Sequence, residues 1–193
     1  MITLATDRLT LRGWRDDDLG ALAAMNADPE VMRYIMDGSV LDGQQSSERL
    51  RKMIVTWDEY GFGRFAVEVR GTGALIGWAG LAVPTFLPEV LPAVEIGWRL
   101  DRRFWGNGYA TEAAAAALRF GFADRGLDRV ISIRHIGNTR SARVMEKLGL
   151  VRDFDTVVPG HDQPVTVHAI PVPRPLRRLT GDGTRMADAP NGR

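Results

Sequence analysis

The 193-residue sequence contains no cysteine, which excludes a disulfide framework, thiolate zinc ligands and a cysteine nucleophile. It also lacks an excess of charge of one sign, because 25 Lys and Arg residues are balanced by 24 Asp and Glu residues. No global field therefore draws in nucleic acid or a membrane surface. The expected partner is small, or is bound locally.

Long hydrophobic runs are absent as well. No stretch of about 18 apolar residues is present to cross a bilayer, and the first residues do not resemble a signal peptide. We therefore expect a cytoplasmic protein. The length suits one domain, expected over residues 1–172, because two domains would each have too small a core. Residues 173–193, rich in Pro, Arg and Gly, are expected to form a flexible tail.

Hydrophobic periodicity predicts a mixture of strands and helices, an α/β chain. Apolar alternation and short apolar runs predict strands over residues 8–14, 65–69, 74–81, 93–100, 129–134 and 163–170. Apolar residues at helical spacing, with capping residues at the ends, predict helices over 19–25, 30–35, 44–60, 111–123 and 139–148. Gly97, in the middle of a predicted strand, indicates a bulge there.

The most informative segment, residues 103–111, joins a predicted strand to an alanine-rich helix. Gly106 and Gly108 let consecutive peptide N–H groups turn inward, and the helix adds free N–H groups and the positive end of its dipole. Phosphate or pyrophosphate is the natural ligand. A dinucleotide fingerprint needs a third glycine where Thr111 stands, and a P-loop needs a Gly-Lys-Ser/Thr ending that is missing. Taken alone, the pattern fits a tight turn equally well.

Arg103-x-x-Gly106-x-Gly108 followed by Tyr109-Ala110-Thr111-Glu112-Ala113 resembles the acetyl-CoA pyrophosphate loop of the GCN5-related N-acetyltransferase (GNAT) superfamily, in the form typical of its ribosomal-protein (RimJ/RimL-like) branch. Residues 138–150 are similar to the helix and Lys-Leu-Gly-Phe ending that follow the family's fifth strand, with Leu150 replacing Phe. Residues 6–12 resemble the opening strand of that branch. The resemblance covers roughly residues 6 to 170.

This resemblance implies a mixed, mostly antiparallel sheet, splayed between its fourth and fifth strands, with helices on both faces. It implies that acetyl-CoA is the cosubstrate and that the acyl group is transferred directly to a primary amine. The enzyme is thus expected to be an acyltransferase that transfers groups other than aminoacyl groups. The amine belongs either to a protein N-terminus or to a small molecule, and the enzyme is a monomer or homodimer. The alternative is a non-catalytic acyl-CoA-binding sensor or scaffold on the same fold.

The resemblance also assigns cofactor-binding residues. Backbone N–H groups from Phe104 to Tyr109 would hold the pyrophosphate, with charge-assisted contacts from Arg102 and Arg103. A backbone N–H near Ile96 to Trp98 would polarise the acyl carbonyl. The cofactor-binding set is Ile96, Gly97, Trp98, Arg103, Phe104, Trp105, Gly106, Asn107, Gly108, Tyr109, Ala110, Thr111, Asn138 and Ser141. Asn138 is expected to bind the pantetheine amides, to cap the following helix, or to do both.

Two residues are expected to be catalytic. Free lysine has a pKa of about 10.4, so a group must take the proton of the acceptor amine near neutral pH. The family position makes Glu95 that base, although a solvent-facing strand carboxylate is the plainer interpretation. Ser141, in the first turn of its helix, would protonate the CoA thiolate, or is an ordinary first-turn residue. Tyr109 either packs against the cofactor or is an alternative acid.

The remaining candidates concern metals and the acceptor. His135, His161 and His168 lack metal-ligand spacing, so no metal site is expected. In the family's arrangement, Trp14, Tyr34 and Met36 would border the acceptor groove.

Overall fold

The protein is described by a computed structural model that covers residues 2–160 and 162–171. Its helices are α1 (Leu19–Asn26), α2 (Pro29–Met32), α3 (Gly43–Tyr60), α4 (Tyr109–Arg125) and α5 (Thr139–Lys147). Its strands are β1 (Leu4–Ala5), β2 (Leu9–Arg12), β3 (Arg64–Val69), β4 (Leu75–Ala82), β5 (Val94–Leu100), β6 (Val130–His135), β7 (Val151–Val158) and β8 (Gln163–Ala169). The residues predicted to form a tail, 173–193, lie outside the described part.

The two long helices have well-defined ends. The Asp42 side chain accepts the N–H of Gln45, whose own side chain accepts the N–H of Asp42, and this capping box starts α3. Gly61, with φ 68°, ends α3 in the left-handed conformation. Helix α4 begins after Gly108 and ends at Gly126. None of the helices among the described residues has the length and apolarity needed to cross a membrane.

The eight strands form one sheet in the order β1-β2-β3-β4-β5-β6-β8-β7. Neighbouring strands are antiparallel except β5 and β6, which are parallel and pair only at Val94↔Val130 and Glu95↔Ile131. Beyond Glu95 the two strands separate, so the predicted fold class and splay are confirmed. The opening lies between the fifth and sixth strands, because the two-residue strand β1 precedes those that were predicted.

Helices cover both faces of the sheet. Val94, Ile96 and Leu100 of β5 belong to the core that packs against α4. Side chains alternate along a strand, so Glu95 and Arg99 lie on the opposite face. That face carries α1 and α3, whose core includes Trp78 of β4. One face of β5 thus packs against α4, and the other lies on the side of the sheet that carries α1 and α3.

Two sequence predictions were wrong. The bulge expected at Gly97 is absent, because β5 pairs with β4 in continuous register from Glu95 to Leu100. The register shifts lie elsewhere. In the β3–β4 pair, Val67 and Glu68 pair with Gly77 and Leu75, so that Ile76 of β4 is left unpaired, and the β7–β8 pair shifts between Arg152 and Phe154. Strand β7 was not predicted, because it is an edge strand whose side chains are mostly exposed and give little apolar alternation.

Candidate active site

The loop between β5 and α4 offers a row of unused peptide donors. Gly106 and Gly108 both have φ 80°, a conformation that favours glycine. Within the described residues, no hydrogen bond uses a peptide N–H from Gly106 to Thr111. The N–H groups of Phe104 and Trp105 are already taken, since they donate to the carbonyls of Asp101 and Arg102. The row of free donors therefore begins two residues later than the expected one and extends into the first turn of α4.

The arginines expected at this loop have other partners. Arg103 forms an ion pair with Asp101 at 2.6 Å and is highly exposed, and this contact raises the pKa of Arg103. Arg102 pairs with Asp28 at 3.2 Å. Arg140, which the sequence analysis did not single out, lies 4.7 Å over the ring of Trp105 and brings a cation to the loop from α5.

The N-terminal segment holds this loop in place. The carboxylate of Glu112, in the first turn of α4, accepts hydrogen bonds from Thr6 Oγ1 at 2.6 Å, Arg8 N at 3.0 Å and Arg8 Nε at 2.7 Å. Arg8 Nη1 also donates to the carbonyl of Asn107 at 3.0 Å, and the guanidinium lies 4.7 Å over the ring of Tyr109. We call Thr6, Arg8 and Glu112 the clasp. Sequence analysis missed it, because Arg8 and Glu112 are 104 positions apart.

At the start of α5, Asn138 and Ser141 form a cap. Asn138 Oδ1 accepts the peptide N–H of Ser141 at 3.0 Å, so the capping role expected of Asn138 is present. The amide nitrogen of Asn138 stays available for a ligand. Ser141 is half-buried, and its hydroxyl makes no hydrogen bond within the described residues. Helix α5 follows β6, the strand that borders the opening in the sheet.

Glu95 lies where the sheet opens. It forms the last pair between β5 and β6, and although part of its side chain reaches solvent, protein atoms surround the carboxyl closely. Burial raises the pKa of Glu95 to about 7, against the opposing effects of the Arg64 charge and a backbone hydrogen bond from Ile133. A carboxyl with this pKa is partly ionised at neutral pH and suited to accept a proton. It differs from a solvent-facing strand carboxylate.

The residues after Glu95 border the opening directly. Ile96, Gly97 and Trp98 pair with β4 but with no residue of β6. Across the gap, the Ser132 hydroxyl donates to the carbonyl of Ile96 at 2.8 Å. The edge of β5 expected to receive an acyl carbonyl therefore faces the gap without pairing to β6.

A cavity of about 210 Å³ lies on the face of β5 that carries Glu95 and Arg99. Its lining consists of Met32, Ile35, Met36, Asp37, Ser39, Leu41, Arg49 and Arg99. Of the three residues expected to border the acceptor groove, Met36 lines this cavity. Tyr34 stacks on His135 at 5.2 Å between ring centroids, linking the segment after α2 to the end of β6. Trp14 instead lies in the core at 3% exposure, where its indole N–H donates to the carbonyl of Arg64.

The cavity also contains residues that sequence analysis missed. Arg49 comes from α3 and Arg99 from β5, and only the packing of these two elements brings them together. The sequence signal that could have identified Arg99 is its spacing of four residues from Glu95, which places both side chains on the same face of the strand. Among residues 2–160 and 162–171, no group of three His, Asp or Glu side chains is placed to hold a metal ion. His161 lies outside the described residues.

Comparison with known proteins adds the family. Residues 8–151 match the model of the acetyltransferase (GNAT) domain. A relative from Bacillus licheniformis, described as the uncharacterized N-acetyltransferase p20, is 31% identical over 160 residues, covering 80% of this chain and 88% of that protein.

Solved structures agree. A GNAT-family acetyltransferase from Bacillus anthracis superposes with a TM-score of 0.74 at 28% identity, covering 88% of this chain and 98% of that one. The fold alone is shared with the ribosomal-protein-S5-alanine acetyltransferase from Vibrio fischeri, at a TM-score of 0.72, 17% identity and coverage of 90% and 98%. The chain therefore belongs to the GNAT acetyltransferase family, whose members transfer acetyl groups from acetyl-CoA, and is an acetyltransferase enzyme.

Proposed function

We propose that the enzyme moves an acetyl group from acetyl-CoA directly to a primary amine, with Glu95 as the general base and Ser141 as the proton donor. The observation that carries this proposal is the raised pKa of Glu95 at the opening between β5 and β6. A base with a pKa near 7 can take the proton of an amine near neutral pH without being permanently protonated itself.

The loop after β5 is suited to the diphosphate of CoA. No acceptor among the described residues uses the peptide N–H groups from Gly106 to Thr111, and these groups include the first turn of α4, where the helix dipole favours an anion. The clasp holds this first turn, and its cation Arg8 offsets the charge of Glu112 beside the site. When bound, acetyl-CoA supplies the thioester that is to be cleaved.

The remaining roles follow from position. The edge of β5 at Ile96 to Trp98, which does not pair with β6, offers backbone groups that orient and polarise the acyl carbonyl. As the amine nitrogen bonds to the carbonyl carbon, its proton passes to Glu95 and the carbon–sulfur bond breaks. The hydroxyl of Ser141 supplies a proton to the departing sulfur, and exchange with solvent then returns a proton to Ser141 and removes one from Glu95. The N-terminus of α5 stabilises the negative charge that develops there.

The acceptor remains one of two kinds, a protein N-terminal amine or a small-molecule amine. The fold shared with a ribosomal-protein acetyltransferase favours the first, and the modest size of the cavity favours the second. Pockets for drug-sized ligands measure about 300–1,000 Å³. A cavity of about 210 Å³ therefore suits a small molecule or the end of a longer one.

The test is release of free CoA thiol from acetyl-CoA with a panel of small amines and peptides. We expect turnover with at least one acceptor, and Glu95→Gln to remove most of it while CoA affinity is kept. Glu146→Gln, at an exposed position of α5, is the matched control. CoA binding without turnover on any acceptor would instead favour a sensor or scaffold module.

A further inference from the structure

Arg99 is an incompletely satisfied cation on the same strand face as the proposed base. One Nη1 hydrogen bond goes to Asn26 Oδ1 at 2.9 Å, and the guanidinium lies 5.4 Å from the centre of the Trp78 ring. Its Nε is buried and has no partner within the described residues. A buried donor without an acceptor costs stability, so such a group calls for a partner such as water or a bound anion.

Arg49 faces the same cavity from α3. Within the described part of the chain, neither Arg49 nor Arg99 forms a salt bridge with a carboxylate. Burial, together with the charges of Arg64 and Arg49, lowers the pKa of Arg99 to about 9, which leaves it protonated at neutral pH. Two arginines therefore line one cavity, and the repulsion between their charges is reduced when an anion binds between them.

The acidic groups nearby offset only part of the charge of this pair. Glu95 is coupled to Arg64, whose charge opposes the rise in the carboxyl pKa. Asp37 also lines the cavity, and its carboxylate accepts the N–H of Ser39 at 3.0 Å. The rest of the lining is largely apolar, with Met32, Ile35, Met36 and Leu41. The cavity thus combines apolar walls with two arginines against one carboxylate, an arrangement that suits a small organic anion.

We propose that the acceptor amine carries a carboxylate or phosphate group, which Arg49 and Arg99 bind in this cavity. This inference rests on the proposed function, since it takes the amine to lie at Glu95. Residues four apart on a strand are separated by about 13 Å between Cα atoms, and the two side chains span part of that distance. The amine and the anionic group are therefore separated by several bonds, as in an ω-amino acid.

Packing alone is the competing explanation. Arg64 and Arg99 both lie over Trp78, at 4.6 and 5.4 Å from the ring centre, and cation–π contacts stabilise such arrangements without any ligand. That explanation does not account for Arg49, because among the described residues only Arg64 and Arg99 lie over Trp78, and Arg49 reaches the cavity from an exposed position of α3. It also leaves the Nε of Arg99 without a partner.

The experiment compares matched acceptors by thiol release. The ω-amino acids from glycine to 6-aminohexanoate are assayed beside their uncharged carboxamides, and aminoethyl phosphate is assayed beside ethanolamine. We expect kcat/KM for the best anionic acceptor to exceed that of its neutral partner about tenfold or more, mainly through KM. Arg49→Gln and Arg99→Gln should abolish this preference, because kcat/KM for the anionic acceptor should fall to that of its neutral partner. Arg51→Gln, at an exposed position of the same helix, is the control.

Each outcome separates this inference from the proposed function. If the enzyme turns over amines but shows no preference for anionic ones, the anion site is refuted and the acetyltransferase proposal stands. If no amine is turned over, the N-acetyl ω-amino acids and their amides are titrated into the CoA-loaded protein by calorimetry. Tighter binding of the carboxylates that is lost in Arg49→Gln supports the anion site independently, and equal binding of acid and amide overturns it.

Discussion

Glu95 and Ile131 form the last pair that joins β5 to β6, so the carboxyl of Glu95 lies where the sheet separates. The same position supplies two conditions that a base needs. Close packing raises the pKa of the carboxyl to about 7, and the gap gives an acceptor amine access to it.

The first prediction concerns pH. Only the ionised carboxylate accepts a proton, so kcat/KM should rise with pH through about 7 and level off above it. Glu95→Gln should lower kcat about a hundredfold or more and remove this rise, because an amide cannot act as the base. The measurement is a pH–rate profile of wild type and variant with one acceptor. A flat wild-type profile between pH 6 and 8 would contradict the assignment.

The second prediction concerns Arg64. Its positive charge lowers the pKa of Glu95, so removing that charge should raise the pKa further and move the rise in kcat/KM to higher pH. Arg64→Met keeps an aliphatic side chain over Trp78 while it deletes the charge. A variant with reduced activity but an unmoved pH midpoint would show that Arg64 acts through packing alone.

The third prediction tests the loop. A side chain at Gly108 would adopt an unfavourable φ of 80° and would lie 3.4 Å from Arg8 Nη2, beside the free N–H groups. Gly108→Val should therefore weaken CoA binding, measured by calorimetry. Gly126→Val is the matched control, because Gly126 also has a positive φ but lies at the far end of α4. It should lower thermal stability and leave CoA affinity intact; equal effects of the two variants would count against the cradle.

The fourth prediction concerns acid stability. Arg12 and Asp18 form a buried ion pair at 2.7 Å. Burial favours the neutral acid, but hydrogen bonds from Arg12 and from the Arg15 N–H outweigh it and lower the pKa of Asp18 below 3.8. The pair therefore stabilises the fold fully above that ordinary value and loses its contribution as the pH falls through the lowered pKa.

Asp18→Asn should reduce the free energy of unfolding by about 3 kcal/mol near neutral pH, because it leaves Arg12 buried with less compensation. Urea unfolding at pH 7 and near pH 3 measures the effect. The difference between wild type and variant should shrink at the lower pH, and a constant difference would indicate that the ion pair contributes little.

Local signals explain what the sequence could predict. Gly106, Gly108 and the alanine-rich helix are adjacent along the chain, so the loop and its free N–H groups are encoded in one segment. The residues that cap α5 are also adjacent along the chain, and Asn138 caps this helix as expected by accepting the N–H of Ser141. The family resemblance supplied the role of Glu95, which its residue type alone does not.

Contacts between distant segments explain what was missed. The clasp and the pair Arg49 and Arg99 exist only after helices pack on the sheet, and no spacing rule links their positions. Gly97 was expected to mark a bulge, but the glycines that other backbone segments approach closely are Gly77 and Gly80 of the neighbouring strand β4. A Cβ at Gly77 would lie 2.2 Å from the carbonyl oxygen of Arg99, and one at Gly80 would lie 2.3 Å from that of Gly63. Glycine in a strand can therefore signal crowding by another backbone as well as a bulge.

The clasp makes the beginning of the chain a reporter of the cofactor loop. Since Thr6 and Arg8 are bound to the first turn of α4, any ligand that steadies this turn also restrains the N-terminal segment. Hydrogen–deuterium exchange of the amides around residues 4–10 should slow when CoA is added. An affinity tag or fusion joined immediately before Thr6 is thus placed beside the cofactor loop, and cofactor affinities measured with it attached need comparison with the untagged protein.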